Sequence, residues 1–203
     1  METRLAKIIS YLFHPVFVPI YGLLVLFNMK SYFSFELIFN AQLLILSFVF
    51  ITTVIFPLFI IYFLKQQGYI QSFQMQSRDE RRLPYLLMAI FYFITYQMFT
   101  QMHLPEIYSF YFMGATLLLA LVVIINIWWK VSIHMVGMGG LFGMLTGLSI
   151  AFSFNTIYLL SIILLISGIV GFARLKLETH KPSEIYSGFL VGTVIMTCLY
   201  LFI

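Results

Sequence analysis

Charge is what this chain has least of. Only 9% of its 203 residues are Asp, Glu, Lys or Arg, against about 25% in an ordinary soluble domain. That scarcity excludes a water-soluble globule, whose surface needs ionic cover. Cysteine is nearly absent: Cys198 stands alone in an apolar stretch, so no internal disulfide can form and the redox compartment is left open. Long polar linkers and low-complexity tracts are also missing. At 203 residues there is room for one compact domain. A net charge of +4 would suit nucleic acid, but the basic residues fall between apolar stretches. Phospholipid headgroups or an anionic lipid substrate are therefore the expected partners, and nucleic acid is not.

What is abundant is apolar: 62% of the residues, with a mean hydropathy of +1.03. Seven apolar segments can be drawn, at 11–29, 40–64, 84–102, 107–129, 131–153, 155–173 and 183–203. Each approaches the roughly 20 residues that cross a hydrocarbon core of about 30 Å. Lipid offers no partner for exposed backbone groups, so the segments must be helices. The expected fold is an all-α polytopic transmembrane bundle of six to seven spans, forming a single integral membrane domain over 1–203. Met1 to Lys7 is short and basic, but the apolar stretch after it is long enough to span, which favours a first span over a cleavable signal. Pro84 is expected to open the third span, where a missing N–H costs nothing. In the fifth span Gly139, Gly143 and Gly147 put a smooth stripe on one face, suited to close helix packing.

Three polar clusters interrupt the apolar text. They are Arg78-Asp79-Glu80-Arg81-Arg82, the run Lys130-Val131-Ser132-Ile133-His134, and the run from Arg174 to Glu184 that includes His180 and Lys181. Two crossings separate each cluster from the next, so all three should emerge on one face, with Lys30 the lone basic residue opposite. The positive-inside rule reads that face as cytoplasmic.

The third cluster carries the most chemistry. His180 and Glu184 are four apart, and Pro182 fits the first turn of the last helix. The Glu184 carboxylate can reach back to the imidazole in the manner of a capping box. A carboxylate on one ring nitrogen fixes the tautomer and raises the basicity of the other, as a histidine nucleophile requires. Arg174 can grip phosphate oxygens with its guanidinium fork. Ser132 offers a hydroxyl at a helix start, His134 can act as a general acid, and Lys130 adds positive charge. Taken singly, each residue has a plainer reading: Arg and Lys snorkel at span ends, and His and Ser cap helices. The spacing R-x5-H-x3-E, beside S-x-H at the next helix mouth, favours a site. His14, beside Pro15 in the first span, and His103, in a short loop, are read as structural.

The arrangement resembles the type-2 phosphatidate phosphatase family, within the superfamily that includes the vanadium haloperoxidases. That family carries K-x6-R-P, P-S-G-H and S-R-x5-H-x3-D. Ala173-Arg174 through His180 and Glu184 is similar to the third motif, with Ala for Ser and Glu for Asp. Val131-Ser132-Ile133-His134 keeps Ser and His of the second. Arg82-Leu83-Pro84 fits the first poorly: one residue separates Arg from Pro, no lysine lies seven upstream, and Arg78 could stand in. The resemblance covers roughly 78–200, although two apparent spans lie where the family usually has an external loop.

The resemblance implies a membrane-embedded phosphatase of lipid phosphates or pyrophosphates. His180 would attack phosphorus, His134 would protonate the leaving group and Glu184 would orient His180. Arg174, Ser132, Lys130, Arg78 and Arg82 would hold the phosphoryl oxygens, with no metal or other cofactor. A bacterial cytoplasmic membrane is the expected location, although family members more often face away from the cytoplasm. Two alternatives stand beside it. One is a non-catalytic relative that binds anionic lipid. The other is a metal-dependent enzyme using His134, His180, Glu178, Glu184 and Asp79, which the surrounding Arg and Lys disfavour. A transporter finds no inverted repeat, and Asn126 is its one polar residue near the middle of a span.

Overall fold

Helix formation here follows from the apolar runs and from local caps. The computed structural model describes residues 2–29, 37–71, 75, 77–102 and 104–202. Lys30, His103 and Gln76 lie outside the described residues, and with them the expectations about the lone basic residue, the short loop and a helical start at Gln76. All regular structure among the described residues is helical. Among the described residues seven helical stretches are long and apolar enough to cross a membrane, which makes this a multi-pass membrane protein.

The helices are α1 (Glu2–Leu12), α2 (Val18–Asn28), α3 (Phe39–Phe50), α4 (Phe56–Gln66), α5 (Arg78–Gln101), α6 (Glu106–Ile125), α7 (Ile133–Phe152), α8 (Ile157–Lys176) and α9 (Pro182–Tyr200). The first span runs Glu2–Asn28 and so starts earlier than the apolar reading put it. Its charges Glu2, Arg4 and Lys7 hide a helix whose buried stripe, Ala6 and Ser10, is small and narrow. A break separates α1 from α2. Proline disfavours α geometry in the residue before it, and His14 is accordingly extended, at φ −62° and ψ 138°. A short 3-10 turn, Pro15–Phe17, then leads into α2.

Pro84 does not open its span. It lies inside α5, which begins six residues earlier because Ser77 caps it: the Glu80 N–H donates to Ser77 Oγ at 3.3 Å, and Asp79 and Glu80 occupy the first turn. The second span carries a π turn at Ile51–Ile55 between α3 and α4, just ahead of Pro57. A proline N cannot donate to the carbonyl four residues back, so the ladder is interrupted there.

Contacts within the chain gather into two compact units, one of residues 1–18 with 127–203 and one of residues 19–126. In the second unit α5 and α6 form a hairpin. Its ends are tied by Asn126 Nδ2, which donates to the Arg78 carbonyl at 2.8 Å, and its interior by the Phe99 and Phe112 rings at 4.7 Å. Thr95 Oγ1 donates to Thr52 Oγ1 on the π turn at 3.0 Å. Both hydroxyls are buried, where an unpaired one would be costly.

The first unit is built on α7 and α9. A Cβ on Gly139, Gly143 or Gly147 would collide with Phe189, Thr193 and Thr197 or Tyr200 respectively, a constant offset that makes the helices parallel. Gly192 sits as closely against the backbone of Val136 and Gly140. Thr193 Oγ1 donates to the Gly139 carbonyl at 3.3 Å and Thr197 Oγ1 to the Gly143 carbonyl at 3.1 Å, bonds that only such a close approach allows. The glycine stripe is thus a helix–helix contact, as its spacing suggested. With α8 antiparallel between them in sequence, the starts of α7 and α9 and the end of α8 lie together.

Candidate functional site

Two helix starts and one helix end bring the polar clusters of the first unit together. The Ser132 N–H donates to the Glu184 carbonyl at 3.1 Å, joining the mouth of α7 to that of α9. Ser132 has no exposed surface, and its hydroxyl has no hydrogen-bond partner among the described residues. A Cβ on Gly188 would come 2.8 Å from the Ser132 carbonyl, so the small residue is what lets the two mouths close up.

The loop from α8 to α9 presents His180. Its first part is a left-handed helix cap: Glu178 has φ +52°, the Thr179 N–H returns to the Arg174 carbonyl and the Glu178 N–H to the Leu175 carbonyl. Lys130 Nζ donates to the Thr179 carbonyl at 3.2 Å, clamping the loop from the α7 side. Lys130 thereby has a structural task that the sequence did not suggest. Pro182 occupies the first turn of α9, and the Lys181 N–H donates to Glu184 Oε2 at 3.3 Å. The same oxygen lies 2.7 Å from His180 Nδ1. A carboxylate only accepts, so Nδ1 is the donor and Nε2 carries the lone pair of the neutral ring. His180 is buried, with 8% of its surface exposed.

His134 is held by a different kind of group. Its Nε2 lies 3.2 Å from the main-chain carbonyl of Ser10. A carbonyl only accepts, so Nε2 is the donor here, and Nδ1 is left buried without a hydrogen-bond partner among the described residues. Arg174 reaches the same residue: Nη1 donates to Ser10 Oγ at 3.4 Å. The Arg174 charge bears electrostatically on His134 and on His14, and His180 bears on His134. The His14 and His134 rings meet edge to face, their centroids 5.4 Å apart.

The first unit therefore brings together Ser132, His134, Arg174, His180, Glu184 and Lys130, all expected from the sequence. It adds Ser10 and His14, which were not. The structural reading of His14 stands beside a new fact, that its ring borders His134. Its only advance signal was a histidine beside a proline in an apolar span.

Arg78 and Arg82 belong to the second unit. The Arg78 carbonyl accepts from Asn126, and Arg82 pairs with Asp79 at 3.1 Å on an exposed face. The buried member of that run is Arg81, whose Nε donates to the Met75 carbonyl at 2.6 Å. Among the described residues no three His, Cys, Asp or Glu side chains group as metal ligands.

Chemically, the first unit offers one imidazole hydrogen-bonded to a carboxylate and a second held by a neutral carbonyl. Beside them stand a guanidinium and a buried hydroxyl. Comparison with protein-family models, with curated proteins and with solved structures finds no match to this chain, so the reading of this site rests on its own residues.

Proposed function

We propose that this protein is a membrane-embedded phosphatase that hydrolyses lipid phosphates or lipid pyrophosphates through a phosphohistidine at His180. The observation that carries the reading is the contrast between the two imidazoles. A carboxylate partner at 2.7 Å raises the basicity of His180 Nε2, which suits a nucleophile. A neutral carbonyl partner gives His134 less support for its positive charge, which suits an acid that must release its proton.

In the proposed reaction, His180 Nε2 attacks phosphorus and a P–N bond forms as the P–O bond to the lipid breaks. His134, protonated at Nδ1, passes that proton to the departing oxygen. Water then attacks the phosphohistidine, giving its proton to His134 Nδ1, and the P–N bond breaks to release phosphate. Arg174 and the Ser132 hydroxyl would neutralise the phosphoryl oxygens, helped by the N-terminal ends of α7 and α9. Lys130 would keep the nucleophile's loop in place through the Thr179 carbonyl. Arg78 and Arg82 enter this reading through the family resemblance alone.

The test is phosphate release from a panel of lipid phosphates by purified protein, with and without chelator. Release that survives chelator supports the reading. Binding of anionic lipid with no release on any substrate would make the protein a non-catalytic relative. Release lost with chelator would call for a metal.

A further inference from the structure

The break in the first span does something that a straight helix could not. In an unbroken helix the Ser10 carbonyl would accept from the N–H of residue 14. Pro15 forces His14 into an extended conformation, and the His14 N–H turns instead to the Tyr11 carbonyl at 3.3 Å. The Ser10 carbonyl is thereby released from the α1 ladder, and it is this carbonyl that lies 3.2 Å from His134 Nε2. The hydroxyl of the same residue accepts from Arg174 Nη1. One residue at one helix end thus holds both an imidazole and a guanidinium. A helix C-terminus, where carbonyls point outward, favours positive charge. The other end of α1 is fastened to the same turn of α8, through Glu2 Oε2 and Lys176 Nζ at 2.7 Å.

We propose that the His14–Pro15 break is a positioning device for this site, and that Ser10 is a positioning residue for His134 and Arg174 together. The main-chain carbonyl fixes His134 as the Nε2-protonated tautomer, so that Nδ1 is the atom turned to substrate. The hydroxyl sets the direction of the Arg174 fork. The His14 ring, nearly perpendicular to that of His134 at 5.4 Å, limits its rotation. The kinetic consequences rest on the phosphatase reading; the tautomer does not.

The full chain with 15N-labelled histidine is examined under alkaline conditions, with His134 assigned by the resonances lost in His134→Asn. Wild type should show His134 protonated at Nε2. Pro15→Ala lets the His14 N–H reclaim the Ser10 carbonyl. His134 should then relax to a mixture of tautomers, and kcat should fall by about 10²-fold, the scale of one general acid, with KM little changed. Ser10→Ala should leave the tautomer intact and raise KM about tenfold, the cost of one hydrogen bond to a charged group, and Ser10→Thr should restore it. A wild-type His134 protonated at Nδ1, or a Pro15→Ala tautomer identical to wild type, overturns the device. An unchanged KM in Ser10→Ala overturns the role of the hydroxyl. Should wild type cleave no lipid phosphate, the phosphatase reading fails, while the tautomer measurements still decide the positioning claim.

Discussion

One oxygen of Glu184 serves two donors: Oε2 accepts from His180 Nδ1 at 2.7 Å and from the Lys181 N–H at 3.3 Å. The carboxylate that orients the imidazole is also the cap of α9, so the position of His180 is tied to the start of a helix and not left to a loop.

Replacing His180 with Ala removes the proposed nucleophile, and phosphate release should fall by several orders of magnitude while the protein stays folded. Glu184→Gln keeps an oxygen for the backbone and loses the charge. Its turnover should fall by less than that of His180→Ala, with a loss of stability of about 0.5–1 kcal/mol at the α9 start. Steady-state assays with a thermal unfolding control separate the two. Equal losses of turnover would give Glu184 a more direct part.

The α7–α9 contact has no room for side chains at its glycines. Gly143→Ala drives a Cβ into the Thr193 backbone, so the helices must part and stability should drop by about 1–3 kcal/mol. Gly168→Ala, on α8, meets nothing within 4 Å and should stabilise by up to about 1 kcal/mol through helix propensity. Thermal unfolding in one detergent, with both variants side by side, checks the contrast.

Glu178 sits at φ +52° in the helix cap, a conformation that costs an L-residue about 1–2 kcal/mol. Glu178→Gly relieves it and should raise the unfolding temperature without altering KM. A lowered unfolding temperature would mean that the Glu178 side chain makes a contact worth more than the strain.

Arg78→Ala and Arg82→Ala test the basic run. If a guanidinium from this run supplies phosphate charge stabilisation, kcat/KM should fall by about 2–4 kcal/mol equivalent in at least one of them. Normal hydrolysis in both and in the double variant, with altered membrane orientation, would make the run a topology signal. Arg81→Ala should instead cost stability, because Arg81 is buried and bonded to the Met75 carbonyl.

Much of this could be read from local spacing. His180 and Glu184 are one helical turn apart, so their pairing needs only a helix start between them. The Gly139, Gly143 and Gly147 stripe likewise announces a close contact by its period of four. Ser10 and His134 stand 124 residues apart, and nothing local distinguishes Ser10 from any other serine near a helix end. Its role comes from a released carbonyl, a backbone property set by Pro15. The start of α5 differs from the sequence expectation for a related reason: Pro84 marks a boundary by rule, and the Ser77 cap with two acidic residues behind it outweighs that rule. Arg81 looked no different from Arg78 and Arg82, because burial within a run of like residues is decided by tertiary packing.

The unit that holds Ser10, His134, Arg174 and His180 is discontinuous in the chain, its first 18 residues joined to the last 77 or so. Synthesis is directional, so α1 emerges long before the helices it must meet. At about 5–20 residues per second, roughly 6–25 seconds separate Ser10 from His134, the partner of its carbonyl. During that interval the Ser10 carbonyl, already released by Pro15, has none of its eventual partners. The continuous unit, 19–126, has its whole sequence out first. This protein therefore completes its candidate site only after the continuous unit has been made, and a ribosome stalled before α9 would leave α7 without the neighbour that its glycines are shaped to receive.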